Sequence, residues 1–552
     1  MPSSGAISFY TYNSGNFLEV SGTTFKSNEG DLGGGAIAVY EDSINVHAKV
    51  ENSTFYKNNF GEGIRNASGA ISTHIYDDDQ YGELDGVNFA SWNNTFLDNS
   101  VVKKAVTEIK GGAIGFENNI FENSLIKNLF VGNKLEKDSL AISGTTFSQN
   151  KGSGGGGAIV IHESEPAAAN MELENNTFFK NSSRSDFDLA NGGAILVYNA
   201  NESEEESITT NKLNSKNNTI FDNKIIRDSM LEIPEDVKGG AIGMKGNFMK
   251  HEFMNDLLVG NNVENNENPS KLFSNIYLPS TKFKESNSLG FDNGTETKDT
   301  VAQAYGKYPV VLAENGSTVK AGSKEDATVI PTIMIAPRLN GTVGTANMTG
   351  GKGTKVDQRG HTRKGKPDIG AVEISSIVYD SNGGNFSLPE LTKYDGKTYY
   401  EGANADQYAK VGAPDVAFTI IDGKKVLKPT KANYEFIGWT DEKTDKFAKV
   451  KYNTGKKVMV DDQTVLYAVW KKKTYSLKYF NNGKTTGTIP TQKNVVPNGS
   501  VTIKSQGKLK RKGYKFSGWS TKPSAKKGEA AYAPGKKLKL VKNTKLYAIW
   551  KR

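Results

Sequence analysis

The chain has 552 residues, 36% of them hydrophobic and 24% charged, which is too long for one ordinary domain and too apolar for a wholly disordered chain. It has no cysteine, which removes disulfide frameworks, zinc ribbons, iron–sulfur clusters and thiol nucleophiles, and its 58 glycines lack the three-residue period of collagen. The net charge of +8 conceals a division: residues 1–375 carry −13, residues 376–470 are neutral, and residues 471–552 hold 22 lysines and arginines against one acid, Glu529.

The first ten residues, MPSSGAISFY, contain neither a basic n-region nor an apolar h-region, so no signal peptide is visible. No apolar run approaches the roughly 18 residues needed to span a membrane. The end, Trp550-Lys551-Arg552, shows no lipidation motif or wall-sorting tail, and the chain reads as a fragment or an incompletely defined frame.

Over the first 260 residues two short motifs alternate. One is Gly/Ser-Gly-Ala-Ile, with its alanine at Ala36, Ala70, Ala113, Ala158, Ala194 and Ala241. The other is an apolar residue with an asparagine three positions on. It pairs Phe25 with Asn28, Phe55 with Asn58, Phe96 with Asn99, Phe130 with Asn133, Phe147 with Asn150, and Phe178 with Asn181. Ile220 with Asn223 and Leu258 with Asn261 complete the series. From each alanine to the next apolar position the distances run 19, 26, 17, then 20, 26, 17 residues, so a block has been duplicated in tandem.

A unit of 17–26 residues fits one coil of a parallel β-solenoid, with two or three short strands joined by turns. Stacked at about 4.8 Å, the phenylalanines would pile up in the core. The asparagines would form a side-chain ladder at a bend, where asparagine tolerates the left-handed turn conformation. The glycines would allow neighbouring backbones to approach. The runs Asp77-Asp78-Asp79 and Glu204-Glu205-Glu206 read as loops.

The alternating set resembles the polymorphic outer-membrane protein repeats, defined by GGAI and FxxN, over roughly residues 20–262. The resemblance implies a right-handed β-helix of adhesin type and a surface-exposed stalk. It does not extend to that family's membrane barrel, since nothing in this chain reads as one. Residues 263–375 read as the last coils and a closing cap. Asp357-Gln358-Arg359-Gly360 and Asp368-Ile369-Gly370-Ala371-Val372-Glu373 resemble the closing motif of other bacterial β-helix surface proteins. Arg359 and Arg363 would pair with Asp368 and Glu373 over the open end of the solenoid.

The last third is two copies of one module, 376–470 and 474–552. Tyr434-Glu435-Phe436-Ile437-Gly438-Trp439 matches Tyr514-Lys515-Phe516-Ser517-Gly518-Trp519. Val465-Leu466-Tyr467-Ala468-Val469-Trp470 matches Lys545-Leu546-Tyr547-Ala548-Ile549-Trp550, all at an offset of 80. Each copy opens with a strand-like alternation ending in Asn-Gly, a tight-turn signal. These modules resemble the internalin B-type (Listeria–Bacteroides) repeats of bacterial surface proteins, which implies a β-grasp-like fold used outside the cell as spacer or ligand contact. The first copy departs from the pattern by an insertion near residues 396–415.

The candidates for chemistry are few. The glycine run 152–157 belongs to the Gly-Gly-Ala-Ile series and lacks the Gly-Lys-Ser/Thr of a phosphate loop, and the run beginning at Gly350 fails the same spacing. Asp77-Asp78-Asp79, Asp186 and Asp188 are the carboxylates that a polysaccharide lyase or hydrolase would recruit, though neighbours in one loop point apart and solvated loop acids are the ordinary case. The five histidines (His47, His74, His162, His251, His361) form no paired ligand spacing, and Asp/Asn-rich turns offer oxygens but no calcium-loop motif. The basic residues Lys471, Lys472, Lys473, Lys508, Lys510, Arg511, Lys512, Lys526 and Lys527 are the candidate polyanion contacts, set against the plainer reading of a soluble lysine-rich surface.

The fold class read from the chain is therefore all-β: a right-handed parallel β-helix followed by two small β-grasp-like repeats. The function is that of a non-catalytic bacterial cell-surface adhesin or display protein, without cofactor, metal or nucleic acid. Its partners would be a host or wall polysaccharide or protein surface, with teichoic acid or glycosaminoglycan at the basic end. The alternatives are a β-helix polysaccharide lyase or hydrolase and a pure structural spacer.

Overall fold

The structure is a computed structural model. It describes the strands and tight turns of residues 5–290, short stretches between 312 and 333, and, with gaps, residues 354–552. The longer connections lie outside the described residues, among them 42–46, 61–67, 76–87, 102–112, 118–128, 164–169, 185–191, 200–211, 291–311, 334–353, 422–428 and 526–530. Among the described residues there is no helix.

Residues 7–289 form a parallel β-helix whose coil carries four strands, where two or three were expected. In the first coil these are Ile7–Thr11, Phe17–Ser21, Thr24–Lys26 and Glu29–Gly30. Equivalent strands stack in parallel into sheets of eight, eight, seven and eight strands, the last including one antiparallel strand. Alternating along the chain, the two motifs fall together within single coils, as with Ile37 and Phe55 or Ile159 and Phe178. The isoleucines pair down one sheet, Ile37 with Ile71 and Ile159 with Ile195, and the phenylalanines down another, Phe25 with Phe55 and Phe147 with Phe178. Successive asparagines of the second motif are 30, 41, 51, 31, 42 and 38 residues apart, so coil length varies while register does not.

Two ladders fill this interior. Phe25, Phe55, Phe96, Phe147 and Phe178 stack ring on ring at centroid separations of 4.8, 4.6, 4.9 and 4.9 Å, and buried Ile220 and Leu258 continue the row. Beside them, the Nδ2 of Asn28, Asn58, Asn99, Asn150, Asn181 and Asn223 each donates to the Oδ1 of the next asparagine at 2.8–3.0 Å. Asn150 Nδ2 also donates to the Phe96 carbonyl, at 3.1 Å. A buried amide left without partners costs about 1–3 kcal/mol, so each rung holds its neighbours in register.

Phe130 and Asn133 are not rungs. Thr95-Phe96-Leu97 pairs directly with Thr146-Phe147-Ser148, while Phe130 and Asn133 face each other in a separate two-stranded antiparallel ribbon. The reason is closure. Phe130 and Phe147 lie 17 residues apart, whereas the shortest coil takes 30, so the two cannot hold successive rungs. The ladder asparagines do not take the left-handed conformation either. It falls one residue earlier, on Ser27, Lys57, Asp98, Gln149, Lys180 and Asp222, and a second left-handed corner precedes each phenylalanine strand at Gly22, Asn52, Asn93, Gly144, Asn175, Asn217 and Asn255. In the Gly-Gly-Ala-Ile corner a Cβ on Gly35 would run into the Gly69 carbonyl of the next coil, which is why glycine stands there.

The segment read as an end cap lies along the side of the solenoid instead. Ser323 N–H donates to Thr24 Oγ1 of the first coil at 2.8 Å, and Thr146 Oγ1 donates to the Pro331 carbonyl at 2.6 Å. Gln358 Nε2 donates to Thr146 Oγ1 and Ala371 N–H to Thr219 Oγ1, at 2.8 and 2.9 Å. The strap thus climbs the outer face of the phenylalanine sheet, whose outward threonines form a row of hydroxyls. Ile333 and Ile369 pack with Phe179, Phe221 and Val259 of the same face.

Its charged residues are buried and clamp the strap to the coils. Arg359 pairs with Asp357 at 2.6 Å and also donates to the Glu373 carbonyl. Arg363 pairs with Glu373 at 3.0 Å and donates to Asn175 Oδ1 of the solenoid at 3.0 Å. Burial raises the Asp357 carboxyl, but Arg359 and Arg363 outweigh it and hold that group below the usual range. Burial wins at Glu373, pushed up to about 7 against the pull of Arg363.

Each C-terminal module is built on a central strand, Gln463–Lys472 or Thr544–Lys551, flanked by one parallel and one antiparallel neighbour. Trp439 and Trp519 are fully buried, each edge-on to a phenylalanine, Phe436 or Phe516. Trp470 and Trp550 donate Nε1–H to the carbonyls of Ser381 and Asn481 beside the Asn-Gly turns. The insertion in the first module supplies strands Tyr400–Ala403 and Gln407–Gly412, which extend its sheet beyond Ser375–Asp380.

Candidate polyanion-binding surface

The positive charge of residues 471–552 is carried on exposed side chains. Lys471 and Lys472 end the first module's central strand and, with Lys473, are exposed where it leads into the second. Lys508, Lys510 and Lys512 are exposed as well, while Leu509 between them turns into the core at 2% exposure. Lys526 and Lys527 lie outside the described residues. The sheet also sets like charges side by side: Lys478 is in register with Lys545, and Lys515 with Lys551. Directly opposed like charges are destabilising, so the fold gains nothing from these pairs. Among the described residues no acid pairs with any lysine or arginine of 471–552, whereas in the first module Lys451 meets Asp441 at 2.5 Å.

At one corner the turn Arg511-Lys512-Gly513-Tyr514 closes through Tyr514 N–H to the Arg511 carbonyl at 3.1 Å, with Gly513 at φ +77°. The Arg511 guanidinium lies 4.1 Å from the Tyr514 ring centroid. Arg552 donates Nε–H to Tyr514 Oη at 3.3 Å, which holds that phenol below its ordinary range. In the sequence Tyr514 is marked only as part of the repeat motif and Arg552 not at all; the cross-strand neighbourhood unites them with Arg511.

Among the described residues the remaining candidates do not assemble into a site. Asp77-Asp78-Asp79, Asp186 and Asp188 lie outside the described residues. His251 is buried in the solenoid, and burial lowers its pKa to about 4. His361 sits in the strap and donates its backbone N–H to Asp357 at 3.0 Å.

A further row of buried amides, Asn176 and Asn218, ends in one residue that the sequence pattern does not mark. Asn176 donates to Asn218, and Asn218 to Asp256 Oδ1 at 3.1 Å, so an acid stands where an asparagine belongs. Burial pushes Asp256 up to about 7.

Comparison with known proteins gives matches in the same places. Residues 415–469 and 475–549 match the Listeria-Bacteroides repeat domain, and residues 144–161, one phenylalanine motif with the glycine corner after it, match the Chlamydia polymorphic membrane protein repeat. Neither the curated proteins nor the solved structures compared with the chain give a match. Repeats of these two kinds are typical of bacterial surface proteins and support a surface-associated protein. No helix among the described residues is long and apolar enough to cross a membrane.

Proposed function

We propose that this is a non-catalytic adhesin-like protein of the bacterial cell surface. The β-helix displays its loops along a rod, and the second repeat module contacts an anionic polymer such as teichoic acid or a glycosaminoglycan. The observation that carries this reading is the net +21 confined to residues 471–552 and presented as exposed lysines, several set side by side at a cost to the fold. A field of that strength draws polyanions by releasing their counterions, so binding should fall steeply with salt. The test compares the full chain with a chain ending at Trp470 on immobilised heparin and teichoic acid. The full chain should be retained and eluted by salt, and the shorter chain should pass through. Equal retention of both would remove the second module from the account.

A further inference from the structure

We propose that Arg511, Tyr514 and Arg552 form a discrete recognition point for one tetrahedral oxyanion, a sulfate or phosphate ester, of the bound polymer. The proposal rests on the polyanion reading above and adds a specific seat to it. Arg511 and Arg552 are the only arginines among the 22 basic residues of 471–552, and the fold brings both to one tyrosine ring. Two guanidiniums spread over donors in fixed planes suit an oxyanion in a way that lysine point charges do not.

The corner is pre-organised. Arg511 is held on one side by the Tyr514 ring, at 4.1 Å from its centroid. The Asn482-Gly483 turn also packs against it, so closely that a Cβ on Gly483 would meet Arg511 Nη1 at 3.0 Å. Tyr514 Oη accepts from Arg552, which leaves the other donors of that guanidinium for a ligand. Stacking on an aromatic ring leaves the edge of a guanidinium free to donate. No carboxylate is paired with either arginine among the described residues.

The first module lacks the arrangement although its turn is the same. Lys431 replaces Arg511, lies 5.3 Å from the Tyr434 ring centroid, and spends its ammonium on the Asn382 carbonyl at 2.9 Å. Lys472 stands where Arg552 does, in register with Tyr434. The seat is thus a feature of one module and not of the repeat fold.

The experiment uses the full chain with two probes, heparin for sulfate and poly(glycerol phosphate) for phosphate, titrated across ionic strength. The double substitution Arg511→Lys and Arg552→Lys keeps the charge and removes the planar donor forks. It should weaken binding to the matching polymer about tenfold with the slope of log K against log salt unchanged. The polymer that suffers the loss names the oxyanion. Tyr514→Phe, which frees Arg552 but keeps the stack, should show a smaller loss of the same kind. Affinity within twofold of the unaltered chain for both polymers after the double substitution would overturn the seat while leaving the basic surface standing. No binding of the unaltered chain to either polymer would overturn both.

Discussion

The two C-terminal modules share a three-stranded centre, to which the first adds the strands of its insertion, and their interiors are nearly the same. Both bury a tryptophan completely, and both bulge between the phenylalanine and the glycine before it. Their surfaces differ in kind. Where the first module sets Glu435 beside Lys471, the second sets Lys515 beside Lys551, and exposed Lys478, in register with exposed Lys545, stands in the place of Val378, which the first module buries. Since one core is kept under both surfaces, the core belongs to the fold and the lysines to whatever the second module meets. The solenoid repeats the lesson in one dimension. Its coils differ widely in length, yet Phe stacks on Phe and Asn on Asn, because variation is confined to connections that no ladder passes through.

The sharpest way to break this division is to cut two copies of the same motif. Phe96→Ala should cost about 3–5 kcal/mol, because it empties one place in a continuous ring stack. Phe130→Ala removes an identical motif residue that holds no rung and should cost below about 1 kcal/mol in denaturant unfolding. Equal losses would put Phe130 back in the ladder.

A smaller effect is expected at Asp256, the acid that ends the Asn176–Asn218 row. The Asp256 carboxyl titrates near 7 in the fold against an ordinary 3.8, so the protonated form is favoured there. Its contribution is present below about pH 4 and is lost as pH rises through 7. Asp256→Asn restores the amide rung and should stabilise by about 1–3 kcal/mol at pH 8, with little gain at pH 4. Thermal unfolding of both chains at the two pH values would show it, and a gain independent of pH would point to another cause.

Smallest is the contrast between the buried tryptophans. Trp519 Nε1 donates to the Lys504 carbonyl at 2.8 Å, whereas Trp439 Nε1 finds no acceptor among the described residues. Trp519→Phe should therefore cost about 1 kcal/mol more than Trp439→Phe. Equal cost would mean that the two interiors are matched in hydrogen bonding as well as in shape.

Much of the fold was legible because stacking converts chemical likeness into spacing. The repeated Phe-x-x-Asn and Gly-Ala-Ile motifs mark positions that lie above one another, and the paired Gly-Trp and Leu-Tyr-Ala-x-Trp motifs mark two copies of one core. What escaped depends on closure and on single contacts. Phe130 looks like a rung until four strands per coil make 17 residues too few. The strap leaves no period, since it touches Thr24, Thr146, Thr177 and Thr219 one residue at a time. Among the candidate polyanion residues the lysine clusters were visible as local charge. The partnership of Arg511 with Arg552 was not, because it passes through a turn and a cross-strand neighbour far apart in the chain.

The central claim, that the surface and not the shared core of the second module meets a polyanion, is tested most directly by the salt dependence of heparin binding to the full chain. In one variant Lys508, Lys510 and Lys512 of the second module become glutamine; in the other, Lys449, Lys451 and Lys456 of the first do. The account predicts that the second-module variant loses affinity at least tenfold and flattens the slope of log K against log salt by about 2, while the first-module variant stays within twofold of the unaltered chain. Equal flattening in both variants would contradict it.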